Sequence, residues 1–129
     1  MRIILCGYGR AALEGLYQLI GNYDINSSNI MVFTYDTVEN EEFVKHLKFN
    51  NISLNYDNVN SSLDLIREFC PDYLLSVYYR DILSIDILDM VNYKAMNFHP
   101  SLLPAYKGCK SSPCAILNNE KSTGVSFHY

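Results

Sequence analysis

Short, continuous runs of apolar residues recur along this chain and alternate with segments whose apolar residues lie three or four positions apart. A continuous run is typical of a strand buried on both faces of a parallel sheet, whereas the wider spacing is typical of a helix with one apolar face. Strands are predicted at 3–6, 30–33, 52–54, 73–78, 94–99 and 122–129, and helices at 12–20, 39–49, 61–69, 84–90 and 111–118. Because strands and helices alternate, the pattern predicts an α/β fold with a doubly wound, mostly parallel, Rossmann-like sheet.

The fifth predicted strand ends in Asn97-Phe98-His99-Pro100. Side chains alternate along a strand, so Asn97 and His99 project to one side, and Pro100 ends the strand because it has no N–H. Ligands bind at this edge of an α/β sheet. An amide beside an imidazole suits a reaction in which a carbonyl oxygen gains charge while a nucleophile loses a proton. Asn97 and His99 are therefore the candidate catalytic residues, and a turn cap with a structural histidine is the alternative interpretation.

The segment 97–108, NFHPSLLPAYKG, resembles the signature of the folate-dependent formyltransferases. The resemblance continues through 115–117 and 120–125, and more loosely back to Met1. These enzymes move a formyl group from 10-formyltetrahydrofolate to an amine, which is carried by an amino sugar, by glycinamide ribonucleotide or by methionyl-tRNA. The resemblance implies that residues 1–129 form the N-terminal portion of a formyltransferase catalytic domain. It also implies a third catalytic residue, an Asp, expected beyond Tyr129, so the chain is interpreted as truncated at its C-terminus.

A second group of candidate residues follows the fourth predicted strand, at the same edge of the sheet. In formyltransferases the matching loop wraps the pterin ring of the folate, so the resemblance implies that Tyr78, Tyr79, Arg80, Ile82 and Leu83 bind the cofactor. Flat aromatic and apolar groups suit a pterin, and backbone groups can read its hydrogen-bonding edge. The Tyr-Tyr-Arg sequence is most similar to the branch that acts on amino sugars. A nucleotide-linked amino sugar is therefore the expected small-molecule acceptor, ahead of glycinamide ribonucleotide and methionyl-tRNA.

The segment 7–12, GYGRAA, follows the first strand and opens a helix, as a dinucleotide-binding fingerprint does. Asp36 ends the second strand, where a ribose-binding acid would fall, so an NAD-binding oxidoreductase domain stays open as an alternative. A similar opening also occurs in the sugar formyltransferases. On that interpretation Tyr8, Gly9 and Arg10 hold an anionic acceptor at the helix N-terminus.

Net charge, together with the lack of recognisable targeting and membrane segments, limits the partners and the location that can be expected. The net charge is −4 and the ten Lys and Arg residues are scattered, which argues against a nucleic-acid partner. One of them, Lys107, follows the prolines, where the resemblance implies contact with acceptor phosphate. No metal site, signal peptide or apolar run of about 20 residues is recognised, so a cytoplasmic protein with no membrane partner is expected. A non-catalytic remnant that binds folate or nucleotide is a further alternative, and the oligomeric state is not predicted.

Overall fold

The computed structural model describes all residues from Met1 to Tyr129. Its strands are β1 (Ile3–Gly7), β2 (Ile30–Phe33), β3 (Ser53–Asn55), β4 (Tyr73–Val77), β5 (Ala95–His99) and β6 (Ser126–His128). They form one sheet in the order β3-β2-β1-β4-β5-β6. Every neighbouring pair is parallel except β5 and β6, which are antiparallel. The prediction of a mostly parallel, Rossmann-like sheet is confirmed.

Five α-helices connect these strands, and all five predicted helical segments are present. They are α1 (Gly9–Tyr17), α2 (Glu41–Phe49), α3 (Leu63–Phe69), α4 (Ile85–Met90) and α5 (Ser111–Leu117). A π-helical turn at Gln18–Asn22 continues α1, and short 3-10 turns cover Ser27–Asn29, Val38–Asn40 and Val59–Ser61. No helix combines the length and the hydropathy of a membrane span.

The core has two parts, one on each face of the sheet. Leu5 of β1 packs with α1 and α2 on one face, while Cys6 packs with α3 and α4 on the other. All five residues of β1 are buried, which is the burial that its continuous apolar run predicts. The chain builds outward from β1 to β3 and then crosses to β4 on the other side of β1. The order of strands therefore reverses between β1 and β4, and a crevice opens at their carboxyl ends.

The last strand is shorter than the predicted segment 122–129. In the antiparallel register Asn97 lies opposite His128 and His99 lies opposite Ser126. Pro100 follows β5 directly and has no N–H to donate. The ladder therefore cannot extend from Ser126 toward residue 122. The prediction of a strand starting at 122 was wrong for this reason.

Candidate active site

A cleft of about 840 Å³ opens at the carboxyl ends of β1, β4 and β5. Ten of the eleven predicted site residues line it: Tyr8, Gly9, Arg10, Tyr78, Tyr79, Arg80, Ile82, Leu83, Asn97 and His99. The remaining one, Lys107, is exposed and lies outside the lining. Its neighbour Gly108 and the start of α5 complete one wall of the cleft. Three stretches that are far apart in sequence are thus brought to one site by the strand order.

Asn97 and His99 are both half-buried at the rim of this cleft, and each is anchored by a single hydrogen bond. The Asn97 carboxamide Nδ2 lies 3.2 Å from His128 Nε2. The His99 Nε2 lies 3.1 Å from the backbone oxygen of Tyr106. Each side chain therefore has polar groups without a hydrogen-bond partner. These are the second N–H and Oδ1 of Asn97, and Nδ1 of His99.

The contact with Tyr106 determines which nitrogen of His99 can take part in proton transfer. A carbonyl oxygen only accepts hydrogen bonds, so Nε2 must carry the hydrogen that it donates to Tyr106. In a neutral imidazole Nδ1 is then unprotonated. His99 can accordingly accept a proton at Nδ1 without giving up its anchor.

The loop that carries Tyr106 is held by serine hydroxyls. Buried Ser101 donates through Oγ to the backbone oxygen of Ala105 at 2.7 Å. Ser126 Oγ donates to the Ser101 oxygen at 2.7 Å and accepts the Leu103 N–H at 2.9 Å. These bonds fix the turn that returns the chain to His99. The Ser101 hydroxyl is buried and Ser101 lies outside the cleft lining, so it stabilises this loop and does not face a ligand.

Tyr35 anchors the loop after β4 by two hydrogen bonds of its hydroxyl. Its hydroxyl accepts the Arg80 N–H at 2.9 Å and donates to the Asp81 carboxylate at 3.0 Å. Its ring stacks on Tyr79 with centroids 5.2 Å apart. Burial raises the pKa of Tyr35 to about 12; the Arg80 N–H opposes this rise, and the Asp81 carboxylate adds to it. The Arg80 guanidinium in turn lies 4.4 Å from the ring centroid of Tyr8.

The far end of the same loop is anchored by Asn60. Its Nδ2 donates to the Ile82 backbone oxygen and its Oδ1 accepts the Ser84 N–H, both at 2.8 Å. The Ile82 side chain is 89% exposed between these anchors. An apolar side chain held this far into solvent at the mouth of a cleft is positioned to contact a ligand.

The turn between β1 and α1 uses its own backbone donors inside the protein. Gly9 has φ +65°, and its N–H donates to Asn40 Oδ1 at 2.8 Å. The Tyr8 N–H donates to the Val77 oxygen at 3.1 Å. Arg10 is exposed and pairs at 3.9 Å with Glu14 on its own helix. The backbone donors of Tyr8 and Gly9 are therefore both bonded within the protein.

The same observation bears on the dinucleotide alternative. A pyrophosphate bound at a glycine-rich turn needs free backbone N–H groups at the helix N-terminus. Asn40 is fully buried and takes the Gly9 N–H, and its Nδ2 donates to Thr34 Oγ1 and to the Tyr35 oxygen. Asn40 thus fastens the turn to the end of β2, and the Gly9 N–H is not free to bind a phosphate.

Sequence reasoning missed three side chains of this site: Tyr35, Asp81 and His128. Tyr35 follows directly on β2, so its position at the carboxyl edge could have been inferred from the strand pattern. Asp81 lies within the predicted cofactor loop. His128 falls in the predicted strand 122–129, but nothing in the sequence gives the register that sets it opposite Asn97.

The formyl transferase family model matches residues 28–129. The chain belongs to this family. The matched region contains β2 to β6, and hence Asn97, His99 and the loop after β4. Family membership agrees with the resemblance found in the segment 97–108, and it gives no support to the oxidoreductase alternative.

Two relatives illustrate the similarity in sequence. The GDP-perosamine N-formyltransferase of Brucella melitensis biotype 1 is 33% identical over 98% of this chain and 50% of its own length. The bifunctional polymyxin resistance protein ArnA of Wigglesworthia glossinidia brevipalpis is 42% identical over 55% of this chain and 11% of its own length. The chain thus spans at most half the length of these two relatives.

Solved structures of the family share the fold. The phosphoribosylglycinamide formyltransferase of Bacillus halodurans superposes with a TM-score of 0.79 at 22% identity, over 100% of this chain and 71% of that one. WlaRD, a sugar 3N-formyl transferase solved in the presence of dTDP and 5-N-formyl-THF, gives a TM-score of 0.72 at 25% identity, over 99% and 45%. The predicted fold, the N-terminal domain of a formyltransferase, is confirmed.

Proposed function

We propose that this protein transfers a formyl group from 10-formyltetrahydrofolate to the primary amine of a nucleotide-linked amino sugar. One observation carries the proposal. Asn97 and His99 lie at the rim of a single cleft, each anchored by one atom and each with a second polar atom free. A general base and an oxyanion donor in one cleft are what acyl transfer to an amine requires.

The dimensions and lining of the cleft fit the donor. Ligand sites for molecules of this size measure about 300–1,000 Å³, and the cleft holds about 840 Å³. The loop after β4 contributes Tyr78, Ile82 and Leu83 as flat or apolar surface, and Tyr35 and Asn60 hold its backbone in place. When bound, the folate supplies an activated formyl group. The residues of the chain bind it, orient it and move the proton.

Asn97 and His99 divide the chemistry between them. The free N–H of Asn97 donates to the formyl oxygen as negative charge develops there. His99 accepts the proton of the attacking amine at Nδ1, while Nε2 stays bonded to the Tyr106 oxygen. His99 then returns the proton to the nitrogen that leaves the formyl group.

The acceptor is proposed from the relatives and from charge. A nucleotide-linked amino sugar is favoured because the 33% identical relative is named for an amino sugar. Arg10 and Arg80 line the cleft and Lys107 is exposed beside it, so positive charge is available for the phosphates of such an acceptor. Glycinamide ribonucleotide is second, because the likeness to enzymes named for it is one of fold alone. A net charge of −4 does not favour methionyl-tRNA.

The proposed location is the cytoplasm. All four cysteines are unpaired, and Cys70 and Cys109 are exposed. Exposed, unpaired thiols are typical of proteins in a reducing compartment. Reactivity of Cys70 and Cys109 toward a thiol reagent in freshly lysed cells would test this location, because cytoplasmic glutathione and thioredoxin keep exposed thiols reduced. Oxidised thiols at both positions would contradict it.

Binding and transfer separate the proposed function from its alternatives. Calorimetric titration of the full chain with 5-formyltetrahydrofolate and, separately, with NADH should give binding of the folate only. The protein is then incubated with 10-formyltetrahydrofolate and an amino sugar linked to GDP or dTDP, glycinamide ribonucleotide or methionyl-tRNA. Mass spectrometry should detect formylation of a nucleotide-linked sugar. Binding of NADH alone would favour the oxidoreductase alternative, and folate binding without transfer to any amine would favour the non-catalytic remnant.

A further inference from the structure

His128 of β6 is the only side chain that hydrogen-bonds to Asn97. The two residues are direct partners across the antiparallel β5–β6 pair, so their side chains rise from the same face of the sheet. On the other face the rings of Phe98 and Phe127 are in contact, with centroids 4.5 Å apart. A register slip of one residue would separate these two rings by moving Phe127 to the opposite face. Contact between the rings therefore keeps His128 beside Asn97.

The surroundings of the His128 ring determine where its hydrogen lies. Nδ1 is 3.0 Å from the Tyr129 backbone oxygen, which can only accept, so Nδ1 carries the hydrogen. Nε2 of the neutral ring is then a lone-pair acceptor, and it faces Asn97 Nδ2 at 3.2 Å. The donor in this contact must be the Asn97 amide. One of its two N–H bonds is directed at His128, and the other is left over.

We propose that His128 is a positioning residue that orients the Asn97 carboxamide. An unrestrained carboxamide can turn by half a revolution and exchange its oxygen and its nitrogen, which differ little in size. An acceptor at Nε2 makes the two orientations unequal, because a turned amide would set Oδ1 against a second lone pair. His128 therefore keeps the nitrogen end of Asn97 in place, with its second N–H free for the formyl oxygen. This inference rests on the proposed function for the catalytic use of that N–H. The orientation of the amide does not depend on the proposed function.

His128 lines the cleft, yet its hydrogen-bonding atoms are both used, by Asn97 and by Tyr129. His99 has a free nitrogen and His128 has none. The two histidines of the site thus have different tasks, one in proton transfer and the other in holding the amide. The third histidine, His46, lies on α2 against Tyr17, outside the cleft.

Steady-state kinetics of three variants test the proposal. His128→Leu removes the acceptor and should lower kcat roughly tenfold, the usual effect of one lost hydrogen bond, with KM for donor and acceptor unchanged. His128→Gln sets an amide oxygen near the former Nε2 and should restore most of kcat. His46→Leu is the matched control and should transfer at the wild-type rate. Equal kcat for His128→Leu and wild type would refute the positioning role, and so would a failure of Gln to exceed Leu.

Nuclear magnetic resonance tests the orientation without any transfer reaction. In ¹⁵N-labelled protein the His128 ring should be protonated at Nδ1 and bare at Nε2. The Asn97 side-chain amide signals should move in His128→Leu, and they should stay in place in His46→Leu. A hydrogen found on Nε2, or Asn97 signals unchanged in His128→Leu, would remove the inference. If wild-type protein shows the expected tautomer but transfers no formyl group, the proposed function fails and the orienting contact stands.

Discussion

Two loops at the same edge of the sheet carry the most distinctive motifs of the chain, and they use their polar groups in opposite ways. In the β1–α1 turn the backbone donors of Tyr8 and Gly9 are bonded to Val77 and Asn40, so neither is free for a ligand. At the end of β5 each polar side chain is bonded through one atom and free at another.

The difference follows from the kinds of groups involved. A backbone N–H is a single donor, so one internal bond exhausts it. A carboxamide has two donors and an acceptor, and an imidazole has two nitrogens, so one bond can orient the group and leave the rest for a ligand. The internal hydrogen bonds of the turn therefore stabilise the fold, whereas the free polar atoms at the end of β5 are available to a ligand. The following substitutions distinguish stability from activity at these two loops.

The largest effect is expected from Asn97→Ala, which removes the free donor at the β5 end. Transfer should slow by about 10²–10³-fold, the usual result of losing one oxyanion donor, while the urea midpoint changes little because the side chain is half-buried. The control is Asn22→Ala, which removes an exposed amide outside the cleft. A variant at 97 that turned over normally would take away the catalytic assignment.

At the β1–α1 turn the effect should appear in stability. Asn40→Ala leaves the Gly9 N–H and the Tyr35 oxygen without their partner, and Asn40 is fully buried. Unsatisfied buried groups of this kind should lower the free energy of unfolding by about 3 kcal/mol, as measured by urea denaturation. Asn58→Ala is the matched control, because its exposed side chain caps a 3-10 turn, and its loss should lower stability by only about 1 kcal/mol. Equal losses in the two variants would contradict the assigned role of Asn40.

Gly7 makes the turn a close passage between β1 and α1. A Cβ added at Gly7 would lie 2.6 Å from the Cβ of Ala12, so Gly7→Ala should destabilise by about 2 kcal/mol through overpacking. At Gly21 an added Cβ meets nothing within 4 Å, so Gly21→Ala should leave stability unchanged or slightly increased. Thermal unfolding of both variants measures the difference, and a fully stable Gly7→Ala would mean that the turn has room to relax.

The smallest effect is expected from Tyr35, which connects β2 to the loop after β4. Its pKa is raised to about 12, so the folded state favours the protonated phenol. The stability that this contributes is complete below pH 10, the ordinary value, and is lost as pH rises toward 12. In Tyr35→Phe the fall in stability across this interval should be shallower than in wild type, as followed by urea titration at each pH. Parallel curves for the two proteins would show that the Tyr35 hydroxyl does not titrate with unfolding.

Local pattern was enough to predict most elements because burial and backbone chemistry act on neighbouring residues. The buried run at 3–6, the separation of Phe98 from Asn97 and His99, and the stop at Pro100 all follow from side-chain alternation and a missing N–H. The boundary of β6 did not follow, because it depends on which residue of β5 lies opposite each of its own. The register between two distant strands cannot be inferred from the sequence of either strand alone.

The class of fold, the family and ten of the residues that line the cleft could be predicted from the order of residues, because each depends on pattern or motif within a short stretch. Which polar groups are free depends on the folded arrangement of the chain. Lys107 lies outside the cleft, the Gly9 N–H is taken by Asn40, and Asn97 has His128 beside it. A hydrogen bond joins atoms that the chain brings together only when the sheet is assembled, so its partners cannot be read from the order of residues.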